Sequence, residues 1–180
     1  MHNLQELISK FKKKFSTIHF PSNPETLYTP CNYFLKEPGK QIRPTLAVLA
    51  NELYTPSNQD TWNLAIAIEL FHNFTLVHDD IMDNASFRRG RQTLHEKYNK
   101  NTAILSGDIM IIKSYEYLNK IKSKNKVAII SSFNQMATEV CEGQQLDLDF
   151  ESQCKISMKE YNEMIRLKTC LLYTSPSPRD

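Results

Sequence analysis

Three aspartates lie close together at the end of an apolar stretch of the chain, at positions Asp79, Asp80 and Asp83. On an α-helix Asp83 follows the other two by four and three residues, so the three side chains project from neighbouring positions on one face. Like charges placed in this way repel one another and need a compensating cation. Carboxylate oxygens on a rigid element suit Mg²⁺ that also binds a phosphate. The spacing therefore predicts a Mg²⁺-dependent site for a diphosphate group.

A cluster of arginines follows the acidic segment, at Arg88, Arg89 and Arg91. An acidic run by itself is more often a solvated helix face than a metal site. The arginines are compatible with a loop that only neutralises the acids. They are also compatible with one wall of a polyanion pocket, in which guanidinium groups face metal-bound carboxylates. The combination of the two clusters favours the pocket.

A second basic element lies upstream, where Lys40 and Arg43 follow a turn signal at Gly39. The two cations are three residues apart at the entrance to a helix predicted to run from Thr45 to Leu53. The N-terminus of a helix favours an anion. An ordinary turn with exposed charges is equally consistent with these residues.

Six short motifs, taken in order, resemble the trans-isoprenyl diphosphate synthases, also called polyprenyl synthetases. They are Gly39-Lys40-x-x-Arg43-Pro44, Glu69-x-x-His72, Asp79-Asp80-x-x-Asp83, Arg88-Arg89-Gly90-Arg91, Gly107-Asp108 and Gly143-Gln144-x-x-Asp147. The resemblance extends from about Gly39 to Thr169. One such motif would be weak evidence, but six in one order at compatible spacing are specific. The resemblance implies an all-α helical bundle of the isoprenoid synthase type, of which this chain is the N-terminal part.

The resemblance also implies an activity, the condensation of isopentenyl diphosphate with an allylic diphosphate to give a short-chain trans-polyprenyl diphosphate. Asp79 and Asp83 would coordinate Mg²⁺ at the allylic diphosphate, with Asp80 supporting the cluster and Arg88 binding the same diphosphate. Isopentenyl diphosphate would be bound by Lys40, Arg43, His72 and Arg89. Further contacts to the allylic diphosphate are implied at Lys168 and Thr169. The metal and the guanidinium group would stabilise the leaving group as the carbon–oxygen bond ionises.

Two residues before the acidic cluster are predicted to set the length of the product. Thr75 lies one turn before Asp79 on the same helix face, and Phe74 adjoins it. Both side chains are expected to point down the cavity below the metal, where the hydrocarbon tail must go. A bulky Phe74 would act as a floor, which predicts farnesyl or geranylgeranyl diphosphate as the product.

Three alternative functions share some of these residues with the prenyltransferase. A class I terpene cyclase shares the fold and the acidic motif but needs no isopentenyl diphosphate site, so Lys40, Arg43 and Arg89 disfavour it. A non-catalytic synthase subunit would have no reason to keep the acidic cluster. The Glu69-x-x-His72 pair also occurs in di-iron helical bundles, but those need a second such pair, and no other histidine follows a glutamate at this spacing.

Composition adds bounds on the class of protein. The net charge of +2 and the lack of aromatic residues interleaved with the basic ones argue against a nucleic-acid partner. No apolar run approaches the roughly 18 residues of a membrane-spanning helix. The lysine-rich N-terminal segment lacks the apolar core of a signal peptide, which predicts a cytoplasmic location. The four cysteines show no C-x-x-C spacing, so free thiols are expected.

Apolar residues recur at helical spacing along the chain, and no run alternates as a strand does. The predicted helices are Leu4–Ile18, Pro30–Lys36, Arg43–Leu53, Asp60–Asp83, Ile104–Lys120, Val127–Leu148 and Met158–Thr169. Residues 1–169 are expected to form the N-terminal portion of a single polyprenyl synthetase domain. Residues 170–180 contain two prolines and resemble a translated adapter remnant, so a non-native or disordered tail is expected there.

The family carries a second aspartate-rich motif in its C-terminal half, and these 180 residues contain none. Asp147 and Asp149 come too early to replace it. The chain taken alone is therefore expected to be inactive, because it supplies one wall of the cavity and one acidic cluster. The resemblance implies a homodimer for the full-length protein.

Overall fold

The computed structural model describes residues 4–37, 39–153 and 155–168. Contacts divide the chain into two compact units, Met1–Ile121 and Lys122–Asp180. The first unit contains six helices and a short hairpin within the described residues. They are α1 (Leu4–Phe15), α2 (Glu25–Leu35), α3 (Ile42–Glu52), α4 (Gln59–Met82), β1 (Phe87–Arg88), β2 (Arg91–Gln92), α5 (Leu94–Lys97) and α6 (Lys100–Asn119).

Helix α4 is the centre of the first unit and packs against both α3 and α6. Its first turn is fixed by a capping box, in which Asn58 Oδ1 accepts from the Thr61 backbone N–H and Thr61 Oγ1 accepts from the Asn58 N–H. Its buried side chains cover much of its circumference, as expected for a helix enclosed by others. Ser114 of α6 donates a 2.8 Å hydrogen bond to the carbonyl oxygen of Ala67, which fixes α6 against the middle of α4.

Within the described part of this unit, two clusters of apolar side chains form the core, one toward each end of α4. The first joins α1, α3 and the N-terminal half of α4 through Leu7, Phe11, Phe15, Ile18, Val48, Trp62, Ala65, Ile66 and Leu70. The second joins α2, the C-terminal half of α4, α5 and α6 through Phe20, Cys31, Val77, Leu94, Ala103 and Met110. Burial of this apolar area is the main favourable contribution to folding. It also fixes the acidic end of α4 on a rigid support.

The second unit contains the long helix α7 (Lys126–Glu151) packed against α8 (Met158–Lys168). Gly143 of α7 lies in the contact, and a Cβ atom at this position would clash with the backbone nitrogen of Lys168. A side chain here would therefore push the two helices apart, which explains the glycine.

The all-α prediction is confirmed, with local differences. Helix α2 begins at Glu25, before the predicted start at Pro30, because Tyr28 stacks on Phe20 and brings the preceding turn into the core. Helix α3 begins at Ile42, one residue before the Arg43 start indicated by the apolar periodicity and three before the Thr45 start expected from the turn signal. The predicted loop after α4 contains the antiparallel β1–β2 pair, although no strand was expected. These strands have two residues each, too short to show alternation.

Within the described residues, none of the helices has the length and apolar character needed to cross a lipid bilayer. Cys31 is a free and buried thiol, and Cys141 is free and exposed. Thr169 and the segment 170–180 lie outside the described residues.

Candidate functional site

The acidic residues of α4 lie at its C-terminus, where negative charge is unfavourable. The helix ends at Met82 with Asp83 as C-cap, and the Asp83 N–H donates to the Asp79 carbonyl oxygen at 2.8 Å. The C-terminus of a helix carries a partial negative charge, and the last turn of α4 contains no basic residue. Asp79 is half-buried and Asp83 is exposed. A cation bound between them would relieve both the mutual repulsion and the unfavourable dipole.

Asp80 plays a different part from its two neighbours. Its side chain is buried, only 2% exposed, and its Oδ1 accepts a 2.7 Å hydrogen bond from Arg88 Nε. Burial raises the pKa of Asp80, and the hydrogen bond and charge of Arg88 oppose that rise. Asp80 is therefore the inner member of the cluster and holds an arginine, while the nearby charge of Asp83 adds to the rise of its pKa.

The β1–β2 hairpin spaces the arginines of the loop. Its two turn residues, Arg89 and Gly90, have φ values of 52° and 76°, which the two-residue hairpin turn compatible with strand twist requires. Arg88 precedes the turn and reaches Asp80, whereas Arg89 donates to the carbonyl oxygen of Glu37 in the α2–α3 loop. The turn therefore directs two adjacent guanidinium groups to different parts of the unit.

Arg89 lies against the glycine of the first basic motif. A Cβ atom at Gly39 would be 2.5 Å from both Cζ and Nη2 of Arg89, and Gly39 has a φ of +66°. A side chain at this position is thus excluded both by the left-handed backbone and by the guanidinium group. The contact brings Arg89 next to the segment that contains Lys40. Lys40 itself is exposed.

Arg43 and His72 meet between α3 and α4. Arg43 Nη1 lies 3.3 Å from His72 Nε2. Burial, together with the smaller effects of the charges of Arg43, Arg89 and Arg88, lowers the pKa of His72 to about 3. His72 is therefore neutral at physiological pH, and its Nε2 accepts the hydrogen bond from the guanidinium group. The sequence placed both residues in one site, and the structure brings them together.

Arg91 has a role that the motif did not reveal. Its guanidinium carbon lies 3.9 Å from the centre of the Tyr33 ring, and Nη1 approaches the Tyr33 carbonyl oxygen at 3.4 Å. It also lies 3.9 Å from the Glu37 carboxylate. Arg91 therefore attaches the hairpin to α2, while Arg88 and Arg89 reach the acidic helix and the Gly39 loop.

Phe74 and Thr75 lie on α4 between the basic site and the acidic end. The Phe74 ring packs against the rings of Phe71 and His78, with centroid distances of 5.6 and 4.6 Å. Thr75 Oγ1 donates to the His72 carbonyl oxygen at 2.8 Å. A Cβ atom at Gly107 of α6 would be 2.5 Å from His78 Nε2, so α6 approaches α4 closely beside these rings. The role of Phe74 and Thr75 in product length stays a prediction.

Lys168 lies in the second unit, at the end of α8. Its Nζ donates to Asp147 Oδ2 of α7. Asp147 belongs to the last of the six motifs, and Lys168 is its ion-pair partner within the same unit. Thr169, the other residue predicted beside Lys168, lies outside the described residues.

The acidic end of α4 suits Mg²⁺ by the chemistry of its donors. Among the described residues, no group of three or more His, Cys, Asp or Glu side chains could hold a metal ion by itself. Mg²⁺ is usually bound by one or two carboxylates together with substrate phosphates and water. The carboxylates of Asp79 and Asp83 lie one turn apart at an exposed helix end. They meet that requirement only when a diphosphate completes the coordination.

Comparison with known proteins gives one consistent result. Residues 24–177 match the polyprenyl synthetase family model. The chain is 39% identical over 156 residues to geranylgeranyl diphosphate synthase of Methanosarcina mazei, covering 86% of this chain and 48% of that protein. It is 40% identical over 151 residues to geranylgeranyl pyrophosphate synthase of Geoglobus acetivorans, covering 83% of this chain and 47% of that protein.

Solved structures agree with these matches. A crystal structure of a geranylgeranyl pyrophosphate synthase superposes with a TM-score of 0.90 at 42% identity, over 96% of this chain and 54% of the other. The geranylgeranyl pyrophosphate synthetase of Pyrococcus horikoshii superposes with a TM-score of 0.84 at 34% identity, over 93% and 54%. The chain spans about half the length of the curated relatives it matches.

Proposed function

The chain belongs to the polyprenyl synthetase family, and we propose that it forms part of a prenyltransferase that joins isopentenyl diphosphate to an allylic diphosphate. One observation carries the proposal: the hairpin turn directs Arg88 to the acidic end of α4 and Arg89 to the Gly39 loop beside Arg43 and His72. Two separate cationic sites suit two diphosphate substrates. A terpene cyclase, which binds one, needs only the first.

The allylic diphosphate is assigned to the acidic end of α4. Asp79 and Asp83 would hold Mg²⁺, which, when bound, neutralises charge on the leaving diphosphate. Arg88 donates one N–H to Asp80, so its Nη groups are oriented for the same diphosphate. The buried carboxylate of Asp80 thereby keeps Arg88 from forming an ion pair with Asp79 or Asp83. Fixed donors of this kind stabilise charge that develops as the carbon–oxygen bond breaks. Lys168 and Thr169 remain proposed further contacts to this diphosphate.

Isopentenyl diphosphate is assigned to Lys40, Arg43, His72 and Arg89. The neutral His72 imidazole fixes the Arg43 guanidinium without cancelling its charge. Arg89 is held over Gly39 by its contact with the Glu37 carbonyl oxygen. A carbonyl partner also leaves the positive charge intact. Arg43 and Arg89 therefore each have a neutral acceptor, which suits the binding of a diphosphate.

A short-chain product is proposed from the position of Phe74. The names of the relatives, geranylgeranyl and geranylfarnesyl diphosphate synthases among them, indicate products of this class for those proteins. In this chain the aromatic rings of Phe71, Phe74 and His78 are packed in succession along α4 before Asp79. Phe74 is the proposed floor, with Thr75 beside it.

The assembly and the location are also proposals. Several large apolar side chains of α6 are exposed, among them Leu105 and Ile112 at 55% each. Such residues on one helix favour burial against a second copy of the chain, which supports the proposed homodimer. We retain residues 1–169 as the N-terminal portion of one polyprenyl synthetase domain, and a cytoplasmic location, as proposals from the sequence.

The test is incorporation of labelled isopentenyl diphosphate by a fused enzyme. Residues 1–168 are joined to the part of the Methanosarcina mazei synthase that lies outside the match. We expect Mg²⁺-dependent product that is lost in Asp79→Ala and retained in the control Asp60→Ala, which changes the opposite end of α4. Equal activity of the fused enzyme and its Asp79→Ala variant would contradict the proposal.

A further inference from the structure

A basic groove lies at the opposite end of α4 from the acidic cluster, outside both candidate diphosphate sites. It has a volume of about 550 Å³ and is lined by Lys10, Lys13, Lys14, Thr17, Ser57 and Trp62. Lys13 and Lys14 follow Lys10 by three and four residues on α1, so the three lysines share one face of that helix. Ser57 and Trp62 come from the start of α4 and the loop before it. Two elements therefore build the groove.

The lysines of α1 form a dense positive charge at the edge of the first unit. Lys10, Lys12 and Lys13 are exposed, and Lys14 Nζ lies 5.3 Å from the centre of the Trp62 ring. Within the described part of the chain, none of these four lysines forms an ion pair with an acidic side chain. The dipole of α1 favours cations at its C-terminus, but lysines three and four residues apart repel one another. An anion from outside the chain would relieve that repulsion.

Two apolar side chains extend from the loop that borders the groove. Leu53 and Tyr54 are 68% and 75% exposed, the highest values for large apolar side chains in the described part of the first unit. They precede Ser57 of the groove by four and three residues. Asn51 fixes this turn, because its Nδ2 donates to the Thr55 carbonyl oxygen at 2.9 Å and its own carbonyl oxygen accepts from the Tyr54 N–H at 3.0 Å. An ordered loop therefore presents an apolar pair beside the basic groove.

We propose that this basic face, formed by the α1 lysines and the loop with Leu53 and Tyr54, is a docking surface for an anionic lipid bilayer. Clusters of four or more lysines on a helix attract anionic headgroups. Apolar side chains beside the lysines add to binding when they enter the boundary between headgroups and acyl chains. The lysines bind the headgroups by charge, and Leu53 and Tyr54 insert between them.

The same features disfavour two other macromolecular partners. A protein that captures a basic amphipathic helix binds its apolar face, but Leu7, Phe11 and Phe15 of α1 are buried in the core. A single-stranded nucleic acid needs exposed rings on which bases stack, whereas the Trp62 ring is only 8% exposed and lies under Lys14. A bilayer needs neither, because it binds the outer face of α1 as it stands.

Docking at this face leaves the candidate substrate sites uncovered. Trp62 lies near the first turn of α4 and Asp79 near the last, and a helix of 24 residues is about 35 Å long. The acidic cluster and the β1–β2 hairpin therefore remain open to water when the groove contacts a membrane. The inference concerns binding alone and does not depend on the proposed function.

Sedimentation of the 180-residue chain with lipid vesicles tests the proposal. The vesicles are phosphatidylcholine with or without about one third phosphatidylglycerol. The variant Lys10→Gln with Lys13→Gln removes two charges of the groove. Its matched control is Lys36→Gln with Lys100→Gln, two exposed lysines on elements that pack against the C-terminal half of α4.

We expect wild type to bind only the anionic vesicles and to lose binding at high salt. Each lysine near an anionic surface contributes about fivefold in affinity, so the groove variant should bind about 25-fold more weakly. The control should stay within about twofold of wild type, because its charges lie outside the basic face. Equal losses in the groove variant and the control would overturn the proposal. So would equal affinity for the two kinds of vesicle, or no binding of wild type to the anionic ones.

A second pair of variants tests the loop. Tyr54→Ser should weaken binding to anionic vesicles by about tenfold, since the ring no longer leaves water on docking. Phe87→Ser, which removes a ring that is 67% exposed in β1, is the matched control and should have no effect. Equal affinities of Tyr54→Ser and wild type would contradict insertion of the loop. Binding of duplex RNA by wild type that is lost in the groove variant, without vesicle binding, would replace the bilayer by a nucleic acid.

A measurement on the wild type covers the case in which the groove variant does not fold. Surface lysines are acetylated briefly with and without anionic vesicles, and mass spectrometry gives the extent at each position. Protection of Lys10 and Lys13 with unchanged reaction at Lys36 and Lys100 supports the proposal. Uniform protection of all four lysines, or none, overturns it.

Discussion

Arg88 donates a 2.7 Å hydrogen bond from Nε to Oδ1 of Asp80, a carboxylate that is only 2% exposed. This contact attaches the β1–β2 hairpin to the last turn of α4. It also divides the acidic cluster into a buried member that fixes an arginine and two outer members available to a metal. The second oxygen of Asp80 is buried without a hydrogen-bond partner among the described residues, so Arg88 is its main compensation.

The first prediction concerns this pair. Arg88→Ala leaves the Asp80 carboxylate buried and uncompensated, so we expect it to lower the free energy of unfolding by about 2–3 kcal/mol, less than a fully buried pair because Arg88 is 29% exposed. Adding Asp80→Asn to Arg88→Ala should recover part of this loss. Urea unfolding of the single and double variants measures the coupling. Strictly additive effects would show that the two side chains do not stabilise each other.

The second prediction concerns the outer carboxylates. Asp79→Asn and Asp83→Asn remove like charges from a helix C-terminus, so each should raise the free energy of unfolding without Mg²⁺ by about 0.5 kcal/mol. Each should also abolish the Mg²⁺-dependent part of the binding of a non-hydrolysable allylic diphosphate analogue. Asp60→Asn, in the first turn of α4, should lower stability and leave binding unchanged. Calorimetry gives both the binding and its metal dependence, and Mg²⁺-dependent binding that survives both changes would rule out the metal assignment.

The third prediction concerns product length. In the fused enzyme, Phe74→Ala should give longer polyprenyl diphosphates, because removal of the ring deepens the space below Asp79. Chromatography of the dephosphorylated products measures chain length. Phe71→Ala, which removes the neighbouring ring, is the control. If Phe74 serves only the core, its removal will cost about 3–5 kcal/mol of stability without any change in product.

The fourth prediction concerns pH and stability. Burial raises the pKa of Glu69 from an ordinary 4.5 to about 7 on folding, so its stabilising effect is complete below pH 4.5 and is lost as pH rises through 7. The pKa of His72 falls from 6.5 to about 3, so its effect is complete above pH 6.5 and is lost as pH falls toward 3. The two effects oppose each other between pH 4.5 and 6.5.

Glu69→Gln isolates the first effect. Relative to wild type, the variant should gain up to about 3 kcal/mol in free energy of unfolding as pH rises from 4.5 to above 7. Denaturant unfolding at several pH values measures the difference. His72→Gln should change the pH dependence of the free energy of unfolding only below pH 6.5. A difference between Glu69→Gln and wild type that does not vary with pH would mean that the carboxyl group does not change its proton occupancy on folding.

Much of the site followed from the sequence because its residues lie in short motifs on helices. Asp79 and Asp83 stand four residues apart. The resemblance assigns Arg43 and His72 to one substrate, and their side chains lie 3.3 Å apart. The helices were predicted because apolar residues recur at helical spacing on α4 and its neighbours. Their ends were less certain, since tertiary contacts such as the Phe20–Tyr28 stack fix them.

Other features depended on contacts that the sequence does not encode locally. The inward turn of Asp80 depends on an arginine eight residues away, reached through a hairpin whose strands have two residues each. The position of Arg89 over Gly39 joins residues 50 positions apart in the chain. The charge environment of Glu69 likewise comes from α3 and the hairpin, so spacing along α4 gave no sign of it.

The central claim is that adjacent arginines serve two different diphosphates, and steady-state kinetics of the fused enzyme test it most directly. Arg88→Ala should raise the KM for the allylic diphosphate more than that for isopentenyl diphosphate, and Arg89→Ala should do the reverse. Arg91→Ala, which removes the stack on Tyr33, is the control and should not separate the two substrates. Opposite selectivity in the two variants is the predicted result. Equal effects of Arg88→Ala and Arg89→Ala on both Michaelis constants would contradict the division of the hairpin between two sites.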